Sequence, residues 1–275
     1  MKGGHKARGF TIIETLIVLA ITGGLFASVA LTISGKQGRT QFEQSVNDVK
    51  AQIEQVINDV AVGFYPNTNN FSCQAGGFGP VIGTATAAQG ENTGCVFLGR
   101  VIQFGISGTD PEQFRVYTVT GLQRTTGGAE VTSFAQALPK VVAPTDASPS
   151  TPDASSPGRL QYGLTICKTL PSCPSQTNVG AIAFMNSLAS YSNGAIVSGS
   201  QQLKIIPISG STLNVSANAA AGTINSNIAT SSEATSAVNL CFISGSSNQS
   251  GLIKIGNANK ELTVTLTVKG NKTCS

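Results

Sequence analysis

Apolar positions along the chain follow three successive patterns. Residues 10–33 are apolar all round, with one ionisable side chain, Glu14, among 24 residues. Such a run is long enough to cross a bilayer with some tilt. From residue 42 the pattern becomes one-sided. Phe42, Val46, Val49, Ile53, Val56, Ile57 and Val60 recur at helical spacing, while Glu43, Asp48, Lys50, Glu54 and Asp59 are spread over the other faces. This predicts an amphipathic helix packed on its own domain along one stripe. The next proline is Pro66, so a single helix is expected over residues 10–62, with residues 10–33 as the transmembrane part. Its weak points are Gly23, Gly24, Gly35 and Gly38, each costing on the order of 1 kcal/mol against alanine in a helix interior.

After residue 62 the helical stripe gives way to short segments separated by Gly, Pro, Asn and Ser. Residues 98–107 and 114–122 read as strands joined by a turn at Gly108-Thr109-Asp110-Pro111, and residues 159–167, 203–209 and 252–256 are further strand candidates. In ELTVTLTVK, residues 261–269, the side chains Leu262, Val264, Leu266 and Val268 alternate with Thr263, Thr265 and Thr267. A half-buried antiparallel strand needs that alternation, with a hairpin turn before it at residues 256–260. Residues 180–191, GAIAFMNSLASY, fit a short helix or a buried strand, and the helix is preferred here. The Pro- and Ser-rich residues 139–158 read as a linker between two lobes or a long loop within one sheet. The expected fold is α+β: a long N-terminal helix packed on a mainly antiparallel sheet. Its β-rich domain divides into residues 63–138 and 159–275 around the linker.

Composition narrows the setting. Charged residues make up 11% of the chain, tryptophan is absent, and the second half is rich in Gly, Ser, Thr, Asn and Ala. Such a neutral, hydroxyl-rich surface fits an exported structural or adhesive protein better than a cytosolic enzyme. Three of the 17 Lys and Arg residues, Lys2, Lys6 and Arg8, precede Gly9; a chain starting at Phe10 keeps 14 basic against 13 acidic residues. That balance argues against a dedicated nucleic-acid binder.

The six cysteines are Cys73, Cys95, Cys167, Cys173, Cys241 and Cys274. They lack paired C-x-x-C spacing, and His5 is the only histidine, so disulfides are expected rather than a zinc site. Sequence-near pairs, Cys73 with Cys95, Cys167 with Cys173 and Cys241 with Cys274, close the shortest loops. Free buried thiols are the alternative.

No catalytic set emerges. A lone histidine beside the N-terminus excludes Ser-His and Cys-His nucleophiles from a chain that starts at Phe10. Gly76-Gly77-Phe78-Gly79 lacks the Lys-Ser or Lys-Thr of a phosphate loop. Asp110 and Glu112 fall short of a calcium cage, and the N-x-S/T triplets at Asn214, Asn248 and Asn271 are expected by chance in so Asn- and Ser-rich a chain. No metal or cofactor is expected.

The apolar run has its basic residues and a small residue, Gly9, on the near side. A cleavable secretory signal carries its small-residue cleavage site on the far side. Cleavage after Gly9 removes the charges and keeps the apolar helix. The basic flank favours a cytoplasmic N-terminus, which leaves the cysteines on the oxidising side.

Together, Arg8-Gly9-Phe10-Thr11-Ile12-Ile13-Glu14 followed by about twenty apolar residues resembles the N-terminus of type IV prepilins and type II secretion pseudopilins. The resemblance covers about the first 55 residues. It implies that residues 1–9 are a cytoplasmic leader cut after Gly9 by a membrane-embedded prepilin peptidase. Phe10 is then the N-methylated first residue, and Glu14 neutralises the terminal amine of a neighbouring subunit during assembly. A carboxylate in an apolar layer is a functional position by default. The resemblance also implies a disulfide-closed C-terminal region, here Cys241 to Cys274. One departure is Leu31, which stands where many of these proteins carry a helix-kinking proline.

The function that follows is a non-enzymatic structural subunit of a type IV pilus-like filament, a minor or large major pilin. Its partners are other pilin subunits, the prepilin peptidase, the pilus assembly platform and the membrane. It would be a single-pass protein of the inner or cytoplasmic membrane before assembly, then part of an extracellular filament or the cell surface. The alternatives are a pseudopilin of a type II secretion or DNA-uptake system and a membrane-anchored extracellular binding domain or enzyme.

Overall fold

The computed structural model describes residues 11–63, 72–76, 79–83, 95–106, 110–142, 158–167, 179–186, 188, 191–192, 195–196, 203–209, 217–230, 238–245, 248–258, 261–271 and 274. The chain divides into two compact units, Met1–Gln41 and Phe42–Ser275. One helix, α1 (Ile12–Ala61), runs through the boundary. Its backbone is unbroken at all four glycines, because isolated glycines lower helix stability without removing a hydrogen bond.

In the second unit every described strand pair is antiparallel. A hairpin of β1 (Ser72–Gly76) and β2 (Gly79–Gly83) comes first. The larger sheet is built on β3 (Cys95–Ile106) and β4 (Asp110–Leu122). A one-turn helix, α2 (Phe134–Ala137), is capped by the Ser133 hydroxyl accepting from Gln136 N, and leads into β5 (Lys140–Val142) beside β4. β6 (Gly158–Arg159) also pairs with β4. The two ends of the Pro- and Ser-rich segment are thus strands on β4, and residues 143–157, where a linker or a long loop is expected, lie outside the described residues. The remaining members are β8 (Val179–Met185) and the edge strand β11 (Lys204–Ser209). β9 (Tyr191–Ser192) and β10 (Ala195–Ile196) form a separate small pair.

The second sheet has the order β14-β13-β12-β7, from β7 (Leu164–Ile166), β12 (Val238–Ser244), β13 (Ser250–Ala258) and β14 (Glu261–Lys269). One core lies between the sheets and takes the α1 stripe. Phe42, Val46, Val49, Ile53, Val56 and Val60 are buried there with Ile102, Phe104, Ile182 and Phe184 of the larger sheet and Leu240, Phe242, Ile253 and Ile255 of the smaller. Phe104 meets Phe242 edge to face across that core, with ring centres 5.6 Å apart. The other face of the larger sheet packs on α3 (Ala217–Thr230): Val101, Tyr117, Ala181, Ala183 and Met185 join Ala221, Ile224 and Ile228.

Four expectations change. Residues 180–191 do not begin with a helix: Val179–Met185 is a central strand, buried on both faces. Ile182 and Phe184 face the α1 core, and Ala181, Ala183 and Met185 face α3. Residues 159–167 are not one strand, because a 3-10 turn at Gln161–Gly163, with Tyr162 at φ 55°, separates β6 from β7. Asp110 and Pro111 belong to β4 rather than to a turn. Gly256, Asn257 and Ala258 belong to β13 rather than to the turn expected before β14.

Candidate membrane and assembly segment

The first helical turn of α1 is fixed by Thr11. Glu14 N donates to Thr11 Oγ1 at 3.3 Å and to Thr11 O at 3.1 Å, and Thr15 N donates to Thr11 O at 3.2 Å. Thr11 is therefore the N-cap, and Glu14 occupies the third helical position. The pair has the T-x-x-E spacing of a capping box, and a carboxylate in the first turn also complements the positive end of the helix dipole. This local role for Glu14 is legible in the residues 11–14 spacing and is additional to any role in assembly.

From Ile12 to Val29 the helix is long and apolar enough to cross a membrane, and none of it is buried within the chain. Eighteen residues rise about 27 Å, close to the thickness of a bilayer's hydrocarbon core. Ile12 and Phe26 are 80% and 78% exposed, and Ile13, Leu16, Leu19 and Leu25 are also largely open. A continuous apolar surface of this kind marks a membrane or protein contact. The segment's hydroxyls are spent inside the helix. Thr15 Oγ1 donates to Ile12 O at 2.8 Å, Thr22 Oγ1 to Val18 O at 2.8 Å, and Ser28 Oγ to Leu25 O at 2.8 Å. A lipid environment requires that internal satisfaction.

Gly23 and Gly24 have nothing within 4 Å of a built Cβ apart from the local helix backbone. They lie among small residues, Ala20, Gly24 and Ser28 at intervals of four and Ala27 beside them. Spacing of this type lets a second helix approach closely in an apolar medium.

Gly9 and Phe10 lie outside the described residues, as does His5. Among the cysteines, Cys241 and Cys274 are bonded, with Cα atoms 5.9 Å apart and a sequence separation of 33. Cys95 and Cys167 are disulfide-bonded as well; the pairings expected for them, with Cys73 and Cys173, involve side chains outside the described residues. Cys167 packs against the Cys241–Cys274 bridge, and its N–H donates to Cys241 O at 2.8 Å.

Elsewhere, Glu112 is held by Arg159, whose Nη2 is 3.1 Å from Glu112 Oε2. Gly76 and Gly79 face each other at the end of the β1–β2 hairpin. Among the described residues no group of three or more His, Cys, Asp and Glu converges as a metal site. An open depression of about 240 Å³ lies between α1 and the residues 159–161, lined by Ser45, Asp48, Gln52, Arg159 and Gln161. Ser45 there donates its hydroxyl proton to Gln161 O at 2.9 Å, so it is a structural tie. No protein-family model, curated protein or solved structure matches the chain.

Proposed function

We propose that the chain is a structural subunit of a type IV pilus-like filament, cut after Gly9, N-methylated on Phe10 and assembled through the first part of α1. The observation that carries this reading is the coincidence of Glu14 in the first turn with an apolar helical surface that the chain itself leaves open. In the membrane, lipid covers Ile12–Val29. In a filament, neighbouring helices cover the same side chains, and the small residues at positions 20, 24 and 28 permit close packing. The carboxylate of Glu14 costs several kcal/mol in an apolar surrounding unless paired. An amine on Phe10 of the next subunit supplies the partner in one axial register only, so the pair selects that register.

Shearing filaments from cells that express the chain tests this reading. The sheared fraction should contain the chain, and its confinement to the membrane fraction would contradict filament assembly. A membrane-anchored extracellular domain is the second reading, and the place of Glu14 in the first turn of α1 favours it, because a carboxylate there complements the helix dipole without assembly.

A further inference from the structure

Among the described residues, three of the four main sheet edges are protected. β11 carries Pro207, which has no N–H to offer a further strand. β5 is three residues long, and its Val141 N–H donates to Asn225 Oδ1 of α3 at 2.7 Å. β7 is also three residues long. β14 differs. It is nine residues long and ends the smaller sheet, and its seven central residues, 262–268, include no charge, proline or glycine. Long uncharged edges are what natural sheets avoid, because they template pairing with another chain. Val264, Leu266 and Val268 are only half-buried against the core, while Thr263, Thr265 and Thr267 are exposed on the other face. Beyond β14, Cys274 lies away from this edge: it is bonded to Cys241 on β12, two strands inward, and its sulfur sits 3.7 Å from Gly251 O.

We propose that β14 pairs with β14 of a second copy of this chain, antiparallel and centred on Thr265. ELTVTLTVK repeats its residue classes in both directions. In this register Glu261 stands opposite Lys269 at both ends, Leu262 opposite Val268, Thr263 opposite Thr267, Val264 opposite Leu266, and Thr265 opposite itself. Opposite charges, threonine pairs and aliphatic pairs are each favourable cross-strand neighbours. A slip of one residue turns the aliphatic row onto the threonine face, and a slip of two loses both charge pairs. The contact is two-fold and closes on itself, giving one continuous sheet across a dimer rather than a fibre. Subunits within a polar helical filament are not related by such an axis. If the filament reading above holds, this contact joins subunits of different filaments; the pairing itself does not depend on that reading.

The test uses the full chain in detergent, where helix association is common to all variants and cancels in comparison. Under mild oxidation T265C should form a disulfide-linked dimer efficiently, T263C should not, and the T263C/T267C double variant should. Lys269→Glu should weaken dimerisation about tenfold by placing like charges at both ends. The swap Glu261→Lys/Lys269→Glu should restore it. Equal crosslinking of T265C and T263C, an unaffected K269E, or a swap that fails to restore dimerisation would each overturn the proposal.

Discussion

Val46 of α1 lies directly on Gly251 of β13: a Cβ on that glycine would stand 2.9 Å and 3.0 Å from the two Val46 methyls. Helix and sheet touch there without an intervening side chain, because the β13 position opposite Val46 carries only hydrogen. The sheet surface and the helical stripe are matched in shape at this point. Gly251→Ala should therefore cost about 1–3 kcal/mol by overpacking, read as a lower thermal midpoint. Val46→Ala in the same chain should recover part of that loss, and a double-mutant cycle with strictly additive effects would show that the two positions do not press on each other.

A second tie joins the same helix to the larger sheet. Arg100 Nη1 on β3 is 2.7 Å from Asp59 Oδ2, with both side chains largely removed from solvent. Asp59→Asn should cost about 2–3 kcal/mol, somewhat less than the loss of a partner in a fully buried pair. The loss should persist in 1 M salt, since screening acts weakly on shielded pairs. A penalty that vanishes in salt would mean that the pair behaves as an exposed one.

The bridge between Cys241 and Cys274 closes a loop of 33 positions and fastens the chain's end over the smaller sheet. In the chain-entropy account such a loop is worth about 3.5–4 kcal/mol. Replacing both cysteines by serine should lower the midpoint of denaturant unfolding accordingly. Hydrogen exchange should quicken first in β13 and β14, the strands nearest the bridge's loop. Exchange that rises evenly over the larger sheet instead would argue against a local clamp.

What the sequence revealed depended on whether an element shows water one face. The α1 stripe and the β14 alternation do, and both periods could be counted directly. β8 does not: its two faces enter two different cores, so Ala181 to Met185 reads as a continuous apolar run with no polar partner positions. Such a run cannot be told from a buried helix by periodicity. α3 was missed for the opposite reason. Among its described side chains Ala221, Ile224 and Ile228 are the buried apolar ones, and they are set among the weak helix formers Gly222, Thr223, Asn225, Ser226 and Asn227. The Pro- and Ser-rich segment hid β5 and β6 because two- and three-residue strands owe their existence to β4, already in place beside them. At the candidate site, Glu14 was legible as a charge in an apolar run. Its local partner Thr11 was read only as part of the N-terminal motif.

A role of Glu14 at the helix start and the proposed role between subunits can be told apart. Loss of the cap interaction at the helix start costs about 1 kcal/mol and should leave membrane insertion intact. If the carboxylate acts between subunits, Glu14→Ala abolishes filament incorporation while Thr11→Ala, which disturbs the same turn, leaves it near normal. Equal defects in the two variants, measured in sheared filaments against total membrane content, would leave Glu14 a role in the first helical turn alone.

Cleavage between Gly9 and Phe10 separates a filament subunit from a plain membrane anchor, and the mass of the mature N-terminal peptide reports it. Taken from filament or envelope fractions, that peptide should begin at a singly N-methylated Phe10 and lack residues 1–9. A peptide that retains Met1 to Gly9, or one that begins beyond the apolar run, would rule out a processed filament subunit.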